Sequence, residues 1–176
     1  MEKIRKGEKM TFLEYQKEAI KTRVGSADNE EYLTLGLIAE VGEVADKLAK
    51  RRRDGVWDEK AFVKELGDVL WFVANLADYW DKMCDDSVST KIDGRTTTKF
   101  YNRGDVCWRV KALARWTSAV VCGISDGEEC FPEIISILEN LAEENGYTLE
   151  QVAEINIAKL RDRQARGVIQ GNGDER

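Results

Sequence analysis

The stretch GLIAEVGEVADKL, residues 36–48, sets two glutamates, Glu40 and Glu43, three residues apart inside an otherwise apolar helical pattern. Leu37, Val41, Val44 and Leu48 recur at the spacing of one helix face, and Leu33 extends the series upstream. KELGDVLWFVANL, residues 64–76, repeats the arrangement with Glu65 and Asp68 among Leu66, Val69 and Val73. Two such stripes joined by a short polar link predict a helical hairpin, and with it an all-α fold. Charged side chains normally solvate the face of a helix turned away from the core. Two neighbouring helices that each carry an acidic pair beside their most hydrophobic residues therefore pose the question of what the acids do.

Composition narrows the answers. A chain of 176 residues can bury one core without metal or disulfide staples. Hydrophobic residues make up 43% and charged ones 34%, with one proline, which favours helices over short strands. No apolar run reaches a membrane span, and MEKIRKGEKM at the N-terminus lacks the apolar core of a signal peptide, so a cytoplasmic protein with no membrane partner is expected. Cys84, Cys107, Cys122 and Cys130 form no CxxC pair and are read as reduced, mostly buried thiols. The chain has no histidine, which removes Ser-His and Cys-His triads and histidine-ligated metals. A net charge of −6 argues against a dedicated nucleic-acid partner.

The helix punctuation predicts a bundle of about five or six helices. Thr11 and Glu14 form a capping box for a first helix to about Arg23, with Gly25 as its stop. Asp28 with Glu31 opens the second, which ends in RRRDG at 51–55. Asp58 caps the third, carrying Phe62, Leu66, Val69, Val73 and Ala77 to about Trp80. Residues 81–105 lose the pattern and read as a long loop or a small hairpin turning at Asp93-Gly94. Helical spacing returns with Val106, Val110, Leu113 and Val120 and stops at Gly123. A further helix is expected from near Pro132 to Gly146, and a last one from the Thr148/Gln151 capping box to about Arg166. The tail GVIQGNGDER is expected to be irregular.

Residues three apart are neighbours on a helix surface, so each acidic pair projects as a unit from the flank of its stripe. If the two helices pack antiparallel, the pairs face each other across a groove. Four clustered carboxylates repel, and a divalent cation relieves that repulsion. Oxygen donors without histidine or thiolate suit Mg2+, or Mn2+ in its place. The plain alternative is solvated or salt-bridged acids, such as Glu43 with Lys47 one turn on.

The pattern ExxE, a gap, then ExxD, set in LGLIAEVGEVADKLAK and KELGDVLWFVANLAD, resembles the MazG-like all-α nucleoside triphosphate pyrophosphohydrolases. TFLEYQKEAIKT near the start, and TLEQVAEINIAKLRDRQARG with GNGDER near the end, are similar to members of the same family. The likeness spans roughly residues 11–80 and 137–176. It implies one α-helical domain over 1–176 with an insertion at 81–136, and magnesium-dependent hydrolysis of a (deoxy)nucleoside triphosphate to the monophosphate and pyrophosphate. It also implies that Glu40, Glu43, Glu65 and Asp68 bind metal and that the protein forms homodimers or homotetramers. The inserted helix around CWRVKALARWTSAVVC can duplicate a bundle helix, cover a pocket or build a contact between copies.

For the rest of a nucleotide, Asn156, Lys159 and Arg163 share a face of the last helix and can offer one amide and two cations to a triphosphate. Their spacing fits an ordinary basic helix end equally well, and similarity to the family's asparagine-lysine-arginine segment favours phosphate. Arg166 and Arg176 are weaker candidates, and the run Arg51 to Arg53 reads as a basic helix terminus. Gln16, Trp57, Phe72 and Asn75 are candidates for the base and sugar, whereas Trp71 reads as core. Asn75 can equally be an interhelical amide. In this scheme Glu40 orients or deprotonates a water, with Lys159 and Arg163 neutralising the departing charge. A non-catalytic helical oligomer or nucleotide sensor with a structural cation is the competing reading. A di-iron bundle needs histidine, and a P-loop enzyme needs a GxxxxGK[ST] motif that is absent.

Overall fold

The computed structural model describes residues 10–84, 88–93 and 104–168. Among them lie seven α-helices, a single 3₁₀ turn at Gly25–Ala27, and no strand, so the chain is an all-α helical bundle. The helices are α1 Phe12–Ile20, α2 Glu30–Asp54, α3 Glu59–Cys84, α4 Val88–Asp93, α5 Val106–Val121, α6 Gly127–Glu144 and α7 Leu149–Ala165. No helix among the described residues is long and apolar enough to cross a membrane.

Helix α3 is the axis of the bundle. From Val69 to Ala77 every residue is buried, and α1, α2, α4, α6 and α7 all pack against it. A helix that is apolar all round has to be surrounded in this way. Helix α5 lies against α2 and α6. The core is continuous from Phe12 and Tyr15 through Leu33, Leu37, Phe62, Leu66 and Leu70 to Phe131, Ile135, Leu138 and Val152.

Local chemistry explains the element ends. Both capping boxes form, Thr11 with Glu14 and Thr148 with Gln151. Helix α1 stops at Ile20, earlier than expected, because Thr22 turns the chain by bonding back to the Ala19 carbonyl through both its backbone N–H at 3.0 Å and its hydroxyl at 2.7 Å. Asn29, not Asp28, caps α2, its Oδ1 accepting from the Tyr32 N–H at 2.8 Å, while Asp28 pairs with Arg23 at 3.3 Å. Gly55 ends α2 with φ of 73°, a left-handed conformation that suits glycine. Asp58 accepts from the Ala61 N–H at 2.9 Å at the start of α3.

Other expectations also fail. The segment after Trp80 is neither loop nor hairpin up to residue 93: α3 continues to Cys84 and α4 occupies Val88–Asp93. The carboxylate of Asp81 accepts from the Val88 and Ser89 N–H groups at 2.8 and 3.2 Å, which satisfies the exposed donors of α4. Gly94, the second residue of the expected turn, lies outside the described residues. Helix α6 begins five residues before Pro132, with Asp126 as its cap, so the proline sits inside the helix. Of the three cysteines whose side chains are described, Cys130 is buried, Cys107 is half-buried and Cys122 is exposed, all as free thiols, so burial of the thiols is not general.

Candidate metal centre

Helices α2 and α3 run antiparallel about a four-residue connection, and one contact fixes their register. The Phe72 ring lies so close to Gly36 that a Cβ there would fall 2.1 Å from its Cε1, which only glycine permits. One turn further along α2 this register sets Glu40 opposite Asp68, and the next turn sets Glu43 opposite Glu65. One carboxylate oxygen from each of Glu40, Glu43 and Glu65 lies within 4.8 Å of the others. Glu65 is buried, Glu40 half-buried and Glu43 exposed, so the cluster opens to solvent along the Glu43 edge.

The electrostatics of the cluster reflect crowded negative charge. Burial, followed by the neighbouring charges of Asp68, Glu43 and Glu65, pushes the Glu40 carboxyl up to about 8, with Lys159 pulling the other way. Burial also raises Glu65, offset in part by Lys47, whose Nζ lies 3.0 Å from Glu65 Oε1. Lys47 on α2 therefore reaches across to α3. Asp68 lies close enough to Glu40 and Glu65 to act on their charge, outside the convergent three, and is held from α7: Lys159 bonds both its oxygens, and the Asn156 Nδ2 donates to Oδ1 at 2.9 Å. With four carboxylates against two lysines, the site retains an excess of negative charge whenever all are ionised. A donor set of carboxylate oxygens alone, with one acid pushed toward its neutral form by burial and by its neighbours, fits a hard divalent cation.

Helix α7 comes this close because of Gly67. A Cβ at that position would fall 2.9 Å from the Asn156 Cβ, so glycine at 67 lets α7 lie against α3 beside Asp68. Asn156 is 1% exposed, and its Oδ1 accepts from the Tyr15 hydroxyl at 2.9 Å. Arg163, half-buried, follows Lys159 one turn along α7. Arg166 pairs with Asp162 at 2.8 Å, and Arg176 lies outside the described residues.

The candidate base and sugar contacts divide by location. Phe72 adjoins the acids, one turn from Asp68, and packs at 5.9 Å against Tyr32 and at 4.8 Å, edge-on, against Trp71. Trp71 is core, its Nε1 donating to the Thr22 hydroxyl at 2.9 Å. Asn75 is fully buried; its Nδ2 donates to the Trp71 carbonyl at 2.8 Å within its own helix, and its Oδ1 has no hydrogen-bond partner. Gln16 is buried, with its amide N–H groups bonding the Ala74 carbonyl at 2.9 Å and the Ser89 hydroxyl at 2.7 Å, so it ties α1 to α3 and α4. Trp57 sits at the tip of the hairpin, about three turns of α2 beyond Glu43, and donates to Asn145 Oδ1 at 3.1 Å. There Arg51 covers its ring at 4.6 Å, while Arg52 and Arg53 pair with Asp105 and Asp54 at 3.9 and 2.7 Å.

Sequence reasoning passed over Tyr15 and assigned Lys47 to Glu43. The only signal for Tyr15 was its position on the apolar face of α1 between Phe12 and Ala19, where a hydroxyl requires a buried partner.

Over 71 residues the chain is 42% identical to the "Gene 37 protein" of Mycobacterium phage L5, a stretch that covers 36% of this chain and 62% of the phage protein. The chain thus spans less than two thirds of that relative's length. No solved structure matches it. Residues 28–108 match the MazG nucleotide pyrophosphohydrolase domain. All four acids of α2 and α3 fall inside that segment, which supports a MazG-like family for residues 28–108.

Proposed function

We propose that the protein hydrolyses a nucleoside triphosphate, (deoxy)ribose included, to the monophosphate and pyrophosphate with magnesium as cofactor. The observation that carries this reading is the convergence of Glu40, Glu43 and Glu65 within 4.8 Å, with Asp68 adjoining, inside the segment that matches a nucleotide pyrophosphohydrolase domain. Those four acids would hold the ion. Bound there, magnesium, or manganese in its stead, supplies neutralising charge for phosphate oxygens and a more acidic water.

The chain's own groups do the rest. Glu40 is the proton acceptor for the attacking water: it is half-buried among the other acids, within reach of a water held by the ion. Lys159 and Arg163 lie one turn apart on α7 and take the charge of the departing pyrophosphate, Lys159 exchanging Asp68 for a phosphate oxygen. Phe72 and Tyr32 form the apolar wall nearest the acids and are the contacts to the base. Gln16, Trp57, Asn75 and Asn156 contribute by holding helices in place. Residues 1–176 act as one unit in which α4, α5 and the start of α6 are an insertion. Copies associate through the outer face of α2, where Leu35 and Ile38 are 58% and 46% exposed.

One observation favours a second reading, a nucleotide-binding protein without turnover. Lys47 and Lys159 already partner Glu65 and Asp68, which lowers the need for a cation. A panel of canonical and modified nucleoside triphosphates with magnesium, with pyrophosphate separated from orthophosphate, decides between them. Pyrophosphate should appear with wild type and vanish in Glu40→Gln, while nucleotide binding largely survives. No pyrophosphate from any nucleotide, or a wild-type rate in Glu40→Gln, overturns the assignment.

A further inference from the structure

Asp68 is held by a chain of hydrogen bonds that starts in another helix. The Tyr15 hydroxyl on α1 donates to Asn156 Oδ1 on α7, and Asn156 Nδ2 donates to Asp68 Oδ1 on α3, each at 2.9 Å. Tyr15 is 2% exposed and Asn156 1%, so neither group exchanges its partner for water. The amide is directional. A phenol that donates to its oxygen forces the NH2 end toward the carboxylate, whereas the reversed amide would present oxygen to oxygen at Asp68. Burial, with Asp68 nearby, raises the phenol well above its ordinary pKa, so it keeps its proton. Gly67 completes the arrangement, because any side chain there would meet Asn156 and drive α7 off α3.

We infer that Tyr15, acting through Asn156, is a positioning residue that fixes the orientation of the Asp68 carboxylate for a divalent cation. The inference rests on the proposal that the acids hold a metal, and it adds that their metal affinity depends on a hydroxyl in α1 that touches neither metal nor substrate. Lys159 also bonds Asp68, but from a half-buried position and through a flexible side chain, so it can leave for a phosphate. The buried amide cannot leave, and it keeps one carboxylate oxygen in place when the lysine departs.

The test uses Tyr15→Phe, which preserves the ring in the core and removes only the oxygen. Uptake of Mn2+ by the full chain is followed by electron paramagnetic resonance without nucleotide, alongside the magnesium dependence of pyrophosphate release. Tyr15→Phe should weaken Mn2+ uptake about tenfold, as loss of a partner behind a ligand typically does. It should also move the magnesium midpoint upward, with most of the rate returning in excess magnesium. Asn156→Ala should weaken uptake at least as much, and adding Tyr15→Phe to it should do nothing more, because the hydroxyl acts through that amide. Unchanged Mn2+ uptake in folded Tyr15→Phe overturns the inference, as does an additive double variant. If wild type binds Mn2+ but releases no pyrophosphate, and Tyr15→Phe still weakens binding, the positioning role stands while the hydrolase assignment falls. If wild type takes up no metal, both fall.

Discussion

Glu40 shows what one side chain does to the behaviour of the whole protein. Its carboxyl titrates at about 8 in the folded chain against an ordinary 4.5, because burial and three acidic neighbours penalise the charge. Between those two values the folded state binds a proton that the unfolded state has released. The stability associated with that proton is complete below about pH 4.5 and is lost as pH rises through about 8. In chelator, Glu40→Gln should therefore unfold at the wild-type temperature near pH 5 and at a higher temperature at pH 9, by about 1–3 kcal/mol after solvent screening. Calorimetric scans at the two pH values measure the difference, and equal shifts at both would count against it. That Glu40 and Glu43 lie together was legible from spacing, since residues three apart must share a surface. The partner of Lys47 was not, because a lysine at i+4 from one acid reaches a second acid only once the register between helices is known. Nor was the part played by Asn156, whose burial depends on a glycine in a different helix.

At the scale of elements, caps were the most readable feature and interruptions the least. Thr11, Asp58 and Thr148 act as the sequence implies, because a capping side chain bonds backbone within its own turn. Pro132 misled because its missing N–H suggests a first turn, yet Asp126 starts α6 earlier and tertiary packing holds the proline inside it. Helix α4 was hidden by its polar surroundings, its stability coming from Asp81 at one end and from Val88 and Ile92 buried beneath. The α2–α3 seam is the element on which the site depends. Gly36→Ala should cost about 1–3 kcal/mol as the Phe72 ring is displaced. Thermal unfolding reads the loss, and crowding beside Glu40 should lower turnover more than stability alone explains. A variant as stable as wild type would mean the helices separate without penalty.

Across the whole molecule, burial sorts chemically identical groups by the motion needed to reach them. Cys122 is exposed, whereas Cys130 is fully buried and its thiol is pushed up to about 11. A thiol reagent with peptide mapping should modify Cys122 at once and Cys130 only as fast as the bundle opens, a rate that should follow denaturant concentration. Comparable rates at both positions would indicate that α6 detaches on its own. The all-α class and the hairpin at its centre followed from hydrophobic period, but the role of α5 beside α2 and α6 did not, because which faces meet is decided by shape rather than pattern. The register of Gly36 against Phe72 has a consequence for length. One extra residue between Glu43 and Asp54 would swing everything before it by about 100° and pull the acids apart. An extra residue beside Val56, 72% exposed at the bend, would leave both halves aligned. Insertions and deletions between the two acidic pairs are therefore tolerated only at that outermost bend, which gives this protein one narrow window in which its length can drift while its chemistry stays still.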